Sequence, residues 1–130
     1  MKIQKIITLL LVFCLLTAFT ACSKITEKPL TGRYVIVDIS DDPDGMTFAN
    51  LKAIYNEINQ NLEEYMFMEL MENGQFELVL FGQTEMFGMY SHNEKTLTLI
   101  TGNETMTAEI SDKKITWTYE NGTKLIFEMK

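Results

Sequence analysis

Cysteine, histidine and proline are scarce in this chain of 130 residues, which has two cysteines, one histidine and two prolines. Both cysteines, Cys14 and Cys22, lie near the N-terminus. From Ser23 onward there is no thiol, so no disulfide can staple the domain and its stability must come from packing. With His92 as the sole histidine, zinc ligand sets and catalytic triads cannot be assembled. Positive charge is also short: 11 basic residues face 18 acidic ones, a formal net charge of −7. That balance repels nucleic acid and anionic lipid headgroups. Finally, the longest apolar run, Ile6 to Leu16, falls short of the roughly 20 residues that a membrane-spanning helix needs.

The N-terminal segment has the build of an export signal. Lys2 and Lys5 form a basic start. The apolar run follows, broken only by Thr8 and Cys14. The stretch Phe19-Thr20-Ala21-Cys22 then resembles the lipobox of bacterial lipoproteins, with Phe19 where an aliphatic residue is usual. Thr20 and Ala21 supply the small side chains needed beside the cut, and the bulky Phe13 disqualifies Cys14. The resemblance implies removal of residues 1–21 and acylation of Cys22. It also implies residence in the bacterial cell envelope, lipid-anchored on the extracytoplasmic side. Cleavage by ordinary signal peptidase near Ala21 is the alternative. Each buried methylene of an acyl chain adds about 0.8 kcal/mol, so two or three chains anchor permanently. Residues 22–30 are then a polar tether. The processed chain keeps nine basic and 18 acidic residues, a charge of −9, so its membrane contact must come from the lipid.

From Thr31 onward, short runs alternate apolar and polar residues between turn signals, the pattern of an all-β domain spanning 31–130. The spacing predicts strands over Thr31–Ile39, Tyr65–Met71, Gln75–Phe81, Thr84–Ser91, Lys95–Thr101, Glu104–Ser111, Lys114–Glu120 and Thr123–Met129. Asn73-Gly74 and Asn121-Gly122 read as hairpin turns of type I′. His92 falls in a turn with Asn93 and Glu94. The exception is Thr47 to Leu62, where Phe48, Leu51, Ile54, Tyr55, Ile58 and Leu62 follow helical spacing. Thr47 or Asp44 can cap this helix, which stands between the first and second strands.

Eight antiparallel strands remove their exposed edges best by closing into a barrel. The helix is expected to cover its mouth. An open sheet wrapped on the helix is the competing architecture. Short strands favour a filled or narrow interior.

Gly32-Arg33-Tyr34 is similar to the Gly-x-Trp entry of lipocalin-like barrels, with Tyr for Trp. Met68-Glu69-Leu70-Met71-Glu72-Asn73-Gly74-Gln75-Phe76 resembles the strand–turn–Phe unit of small lipocalin-like domains on bacterial lipoproteins. Gly88-Met89-Tyr90-Ser91 with Leu97-Thr98-Leu99, and Gly122 to Phe127, fit the same pattern. The likeness covers most of Thr31 to Lys130. It implies an eight-stranded antiparallel meander or barrel and, since many such domains have no assigned activity, says more about fold than function.

The candidate chemistry is sparse. Asp42, Asp44 and Gly45 match three positions of a calcium loop, but Ser40 and Leu51 stand where Asp and Glu are required, which excludes the motif. Eight methionines follow Cys22. Thioethers bind Cu(I), yet Met66, Met68 and Met106 fall on inward faces, where methionine fills gaps. Glu69 and Glu77 are expected to face each other across a hairpin, on a solvated face. No cofactor, metal or catalytic set is expected. The first expectation is a small apolar or amphipathic ligand, bound without catalysis in a pocket lined by Tyr34, Met66, Met68, Phe76, Leu78, Tyr90, Met106, Trp117 and Phe127. The alternative is a filled barrel that acts as an envelope interaction or inhibitory module. Copper handling by methionine is the third.

Overall fold

The computed structural model describes residues 30–130. The expected signal segment, Cys22 and the tether up to residue 29 lie outside them. Eight strands form the domain: β1 (Gly32–Ser40), β2 (Phe67–Leu70), β3 (Gln75–Leu80), β4 (Gln83–His92), β5 (Thr96–Thr101), β6 (Glu104–Ser111), β7 (Lys114–Thr118) and β8 (Lys124–Met129). Every sequence neighbour pairs antiparallel, and β1 pairs with β8 to close the barrel. All eight strands therefore find both partners within Gly32–Met129. The open-sheet alternative is excluded.

Alternation decides what fills the interior. Met68 and Leu70 of β2, Phe76 and Leu78 of β3, Leu97 and Leu99 of β5, Ile115 of β7 and Phe127 of β8 are all essentially inaccessible. Tyr34 and Ile36 join them from β1. These side chains occupy the barrel axis, so the interior is filled rather than hollow, as small barrels allow.

One helix, α1 (Phe48–Glu57), lies between β1 and β2 and buries Leu51, with Phe48 and Tyr55 packed against the core. The Thr47 side chain caps it by accepting from the Asn50 backbone N–H at 3.2 Å. The apolar spacing predicts a helix to Leu62, but the helix stops earlier. Asn59 takes the left-handed conformation, with φ 56°. Its N–H donates to Asn56 O and that of Gln60 donates to Tyr55 O, which is the Schellman termination. A separate 3-10 turn, Leu62–Glu64, follows and buries Leu62. Glu63 and Glu64 belong to that turn.

The two Asn-Gly turns also differ from the type I′ expectation. Only the glycines, Gly74 at φ 83° and Gly122 at φ 93°, are left-handed; the asparagines are not. Each loop has three residues. Met71 N–H donates to Gln75 O, and Tyr119 N–H to Thr123 O. The Asn73 and Asn121 carboxamide oxygens accept from Gln75 N–H and Thr123 N–H. This is a type I turn followed by a left-handed glycine. Both central residues are left-handed instead at Phe81-Gly82 and Asp112-Lys113, the two-residue links. His92 is the last residue of β4, opposite Leu97, and not part of the turn.

An even meander sorts the loops to two ends. Leu30 enters beside the β2–β3, β4–β5 and β6–β7 turns. The phenols of Tyr34 and Tyr90 close this end by donating to Leu30 O at 2.8 Å and Met71 O at 2.9 Å. The far end carries α1 and the β3–β4, β5–β6 and β7–β8 turns. The expected tether therefore joins the barrel opposite its helical cap.

Candidate functional site

The barrel is not zipped evenly. β6 pairs with β7 only over Glu109–Ser111, so Glu104–Ala108 have no partner on that side. β4 pairs with β5 only over Met89–His92, and Gln83–Gly88 overshoot it. The seam opens at the helical end into a cleft of about 740 Å³, bordered by β4, β6, and β7 with its following turn.

Gly88 allows β4 to make this departure. A Cβ there would lie 2.0 Å from the Ile100 carbonyl oxygen. Only a glycine lets the two backbones approach so closely. Three residues further back, β4 carries a bulge: Leu78 pairs with Met86 and Val79 with Thr84, leaving Glu85 as the extra residue. Bulges re-aim side chains. Here the bulge lets two consecutive residues, Glu85 and Met86, both line the cleft, which plain alternation would forbid.

The apolar surface of the cleft comes from Met86, Met106 and Trp117, and its carboxylates from Glu85, Glu104 and Glu120. Thr105, Thr107, Thr118, Tyr119 and Asn121 complete the lining. No lysine or arginine is among these residues. Burial pushes the Tyr119 phenol above its ordinary 10.0, and the nearby Glu85 carboxylate pushes it further.

Trp117 is the most informative of these side chains. It is 6% exposed, and its Nε1 is fully buried with no hydrogen-bond acceptor. Among the described residues it is the only such side-chain atom. A buried unsatisfied donor costs about 1–3 kcal/mol, and native structures hold few of them.

A second, smaller cavity of about 230 Å³ adjoins the cleft and shares Tyr119 and Asn121 with it. Phe81, Met46 and Met66 help to line it. Phe81 stands at φ 54°, a conformation that is an outlier for a bulky residue.

The expected pocket residues divide. Met106 and Trp117 line the large cleft, and Met66 lines the small cavity. Tyr34, Met68, Leu78 and Phe127 sit in the packed core, Phe76 is buried beneath a groove between β3 and β4, and Tyr90 packs against the core at the tether end. They point inward as expected, but do not converge on one space.

Other candidates resolve into structure. Asp42 is a tie: Oδ1 accepts from the Thr123 hydroxyl and Oδ2 from the Met46 backbone N–H. Glu69 and Glu77 are cross-strand partners, and Arg33 reaches Glu69 at 3.9 Å. Met66 and Met68 are core residues. Among the described residues no group of His, Cys, Asp and Glu could hold a metal ion, and no helix is long and apolar enough to cross a membrane. No protein-family model, curated protein or solved structure matches the chain.

Proposed function

We propose that this chain is an envelope lipoprotein, acylated at Cys22, whose lipocalin-like barrel binds a small amphipathic molecule without catalysing a reaction. The site is the open seam beside β7 rather than the barrel axis, which side chains already fill. The observation that carries this reading is the buried, unpartnered Trp117 Nε1 beneath a cleft with an apolar floor. Pockets for small ligands combine apolar walls with a few convergent polar groups. A ligand that shifts the lining and brings an acceptor to the indole removes that cost. Methionines at Met86 and Met106 suit this task, since unbranched thioethers adapt to irregular shapes. The cleft opens at the end opposite Leu30, so a tether at that residue leaves it accessible.

Trp117 is the only tryptophan in the chain, so its fluorescence reports on the site directly. The soluble domain from Ser23 onward is titrated with an organic extract of the native host's envelope. A saturable change in emission is expected, and Met106→Glu removes it. An emission spectrum that never moves would sink the proposal.

A second reading, an interaction module, is favoured by one apolar patch. Phe87 (72% exposed) and Met89 (48%) share the outer face of β4, and Ile100 (41%), opposite Met89 on β5, extends it. Contiguous exposed apolar surface of this kind marks contact sites. Crosslinking in intact cells separates the readings: a partner lost on Phe87→Ser and kept on Met106→Glu supports the second.

A further inference from the structure

We infer that the molecule bound in the seam is a short, free, extended peptide that adds an antiparallel strand to the open edge of β6, with apolar side chains at alternate residues and basic ones among the others. This rests on the binding reading above and names the class of amphipathic molecule.

The hydrogen-bond ladder defines the edge. Ile110 N–H donates to Lys95 O, and β5 and β6 then pair without a register shift from Glu109 to Glu104. Antiparallel strands bond at every second residue, so Ala108, Met106 and Glu104 turn their backbone groups to β5. The N–H and C=O groups of Thr105 and Thr107 point the other way, where β7 pairs with β6 only over Glu109–Ser111. Both threonines are exposed, and both line the cleft.

Proteins ordinarily blunt an open edge with charge, proline or a bulge. The unpaired part of β4 has the bulge at Glu85. Thr105–Ala108 carries no charge, no proline and no bulge. Its free backbone groups suit main-chain pairing, the mode by which extended peptides join sheet edges. The gap ends where β7 takes over at Glu109, a length that fits a short peptide. Directly opposite residues of paired strands share a face. Alternate side chains of the peptide therefore lie beside Met106, over the apolar floor, and the others beside Thr105 and Thr107. Charge selects such a peptide over a second copy of this chain. The cleft lining has no lysine or arginine, and two processed chains, each with nine basic and 18 acidic residues, repel one another.

The test uses acetyl-Lys-Leu-Thr-Leu-Lys-amide, two N-methylated twins of it, and decanol. The protein is the chain from Ser23 onward, which keeps all eight strands and their partners. Binding is read by calorimetry and Trp117 fluorescence, and amide exchange by NMR. The parent peptide is expected to slow exchange of the Thr105 and Thr107 amides at least tenfold, whereas Met106 and Ala108 are already held by β5. In the inferred register the peptide's threonine and lysine nitrogens face β6 and its leucine nitrogens do not. N-methylation at the threonine and C-terminal lysine is expected to weaken binding at least tenfold, and N-methylation at both leucines much less. Thr107→Pro removes one edge donor and spares the β5 ladder; it is expected to lose the peptide and keep decanol. Should that variant not fold, the twins and the exchange rates decide for the wild type. Twins that bind equally, threonine amides that stay unprotected at saturation, or decanol binding without peptide binding overturn the added strand and leave the amphiphile site standing. Protection of both amides before peptide is added, in a chain that sediments as a dimer, overturns the peptide in favour of a second copy. Trp117 emission that neither peptide nor decanol moves overturns both readings.

Discussion

The hydroxyl of Thr123 donates to Oδ1 of Asp42 at 2.9 Å, across 81 residues of sequence. The bond fastens the loop before α1 to the turn that opens β8, and it holds the helical cap over the barrel mouth. The other carboxylate oxygen accepts the Met46 N–H at 2.7 Å. Asp42→Ala removes both acceptors, and hydrogen bonds to charged groups contribute about 1.5–3 kcal/mol each. Because the site is partly open to water, a loss of roughly 2 kcal/mol is expected in urea unfolding, against less than 1 for Asp44→Ala. Equal effects of the two would contradict this role.

Gly88→Ala is expected to cost about 3 kcal/mol or more, since the clash is with backbone and no rotamer relieves it. The matched control is Gly102, where an added Cβ meets nothing and only φ 56° is unfavourable. Gly102→Ala should cost about 1–2 kcal/mol. Urea midpoints of the two variants give the ranking.

Phe81→Asn relieves a bulky residue held in the left-handed region and is expected to raise stability by about 1 kcal/mol. Thermal melts check this. A lower melting temperature would show that the Phe81 ring, 55% exposed, contributes more by covering the adjacent cavity than its backbone strain costs.

Tyr34 and Tyr119 both titrate above the ordinary 10.0, Tyr34 through burial and then Tyr90, Tyr119 through burial and then Glu85. The folded state thus keeps two protons that the unfolded chain releases. Their contribution to stability is complete below 10.0 and is lost as pH rises through the folded-state values. Ultraviolet titration should show two of the five tyrosines ionising late, and Glu85→Gln should move one of them earlier. A Tyr119 transition that Glu85→Gln leaves in place would contradict the assignment.

The strands were legible because period-two alternation survives over most of their length: Phe76, Leu78 and Leu80 face in while Gln75, Glu77 and Val79 do not, and only the bulges in β1 and β4 break it. The helix was legible as well, but its end was not. The apolar spacing runs on through Ile58 and Leu62, whereas Asn59 terminates the helix by its backbone conformation. Turn type was misread for a related reason. Asn-Gly is compatible with two loop lengths, and register, which decides between them, is a property of paired strands. The cleft was the least legible feature. Glu85 looks like an ordinary outward residue until the bulge is counted, and Glu104 and Glu120 converge with it only once the meander closes. The alternation placed Trp117 inside, but no sequence pattern reports a missing acceptor.

Native mass spectrometry of the soluble domain, purified from its native host and compared before and after denaturation, tests the central claim most directly. A small-molecule mass retained in the folded state, released on unfolding and absent from Met106→Glu is the predicted result. A clean apo mass for the wild type, under conditions where the barrel stays folded, would contradict it.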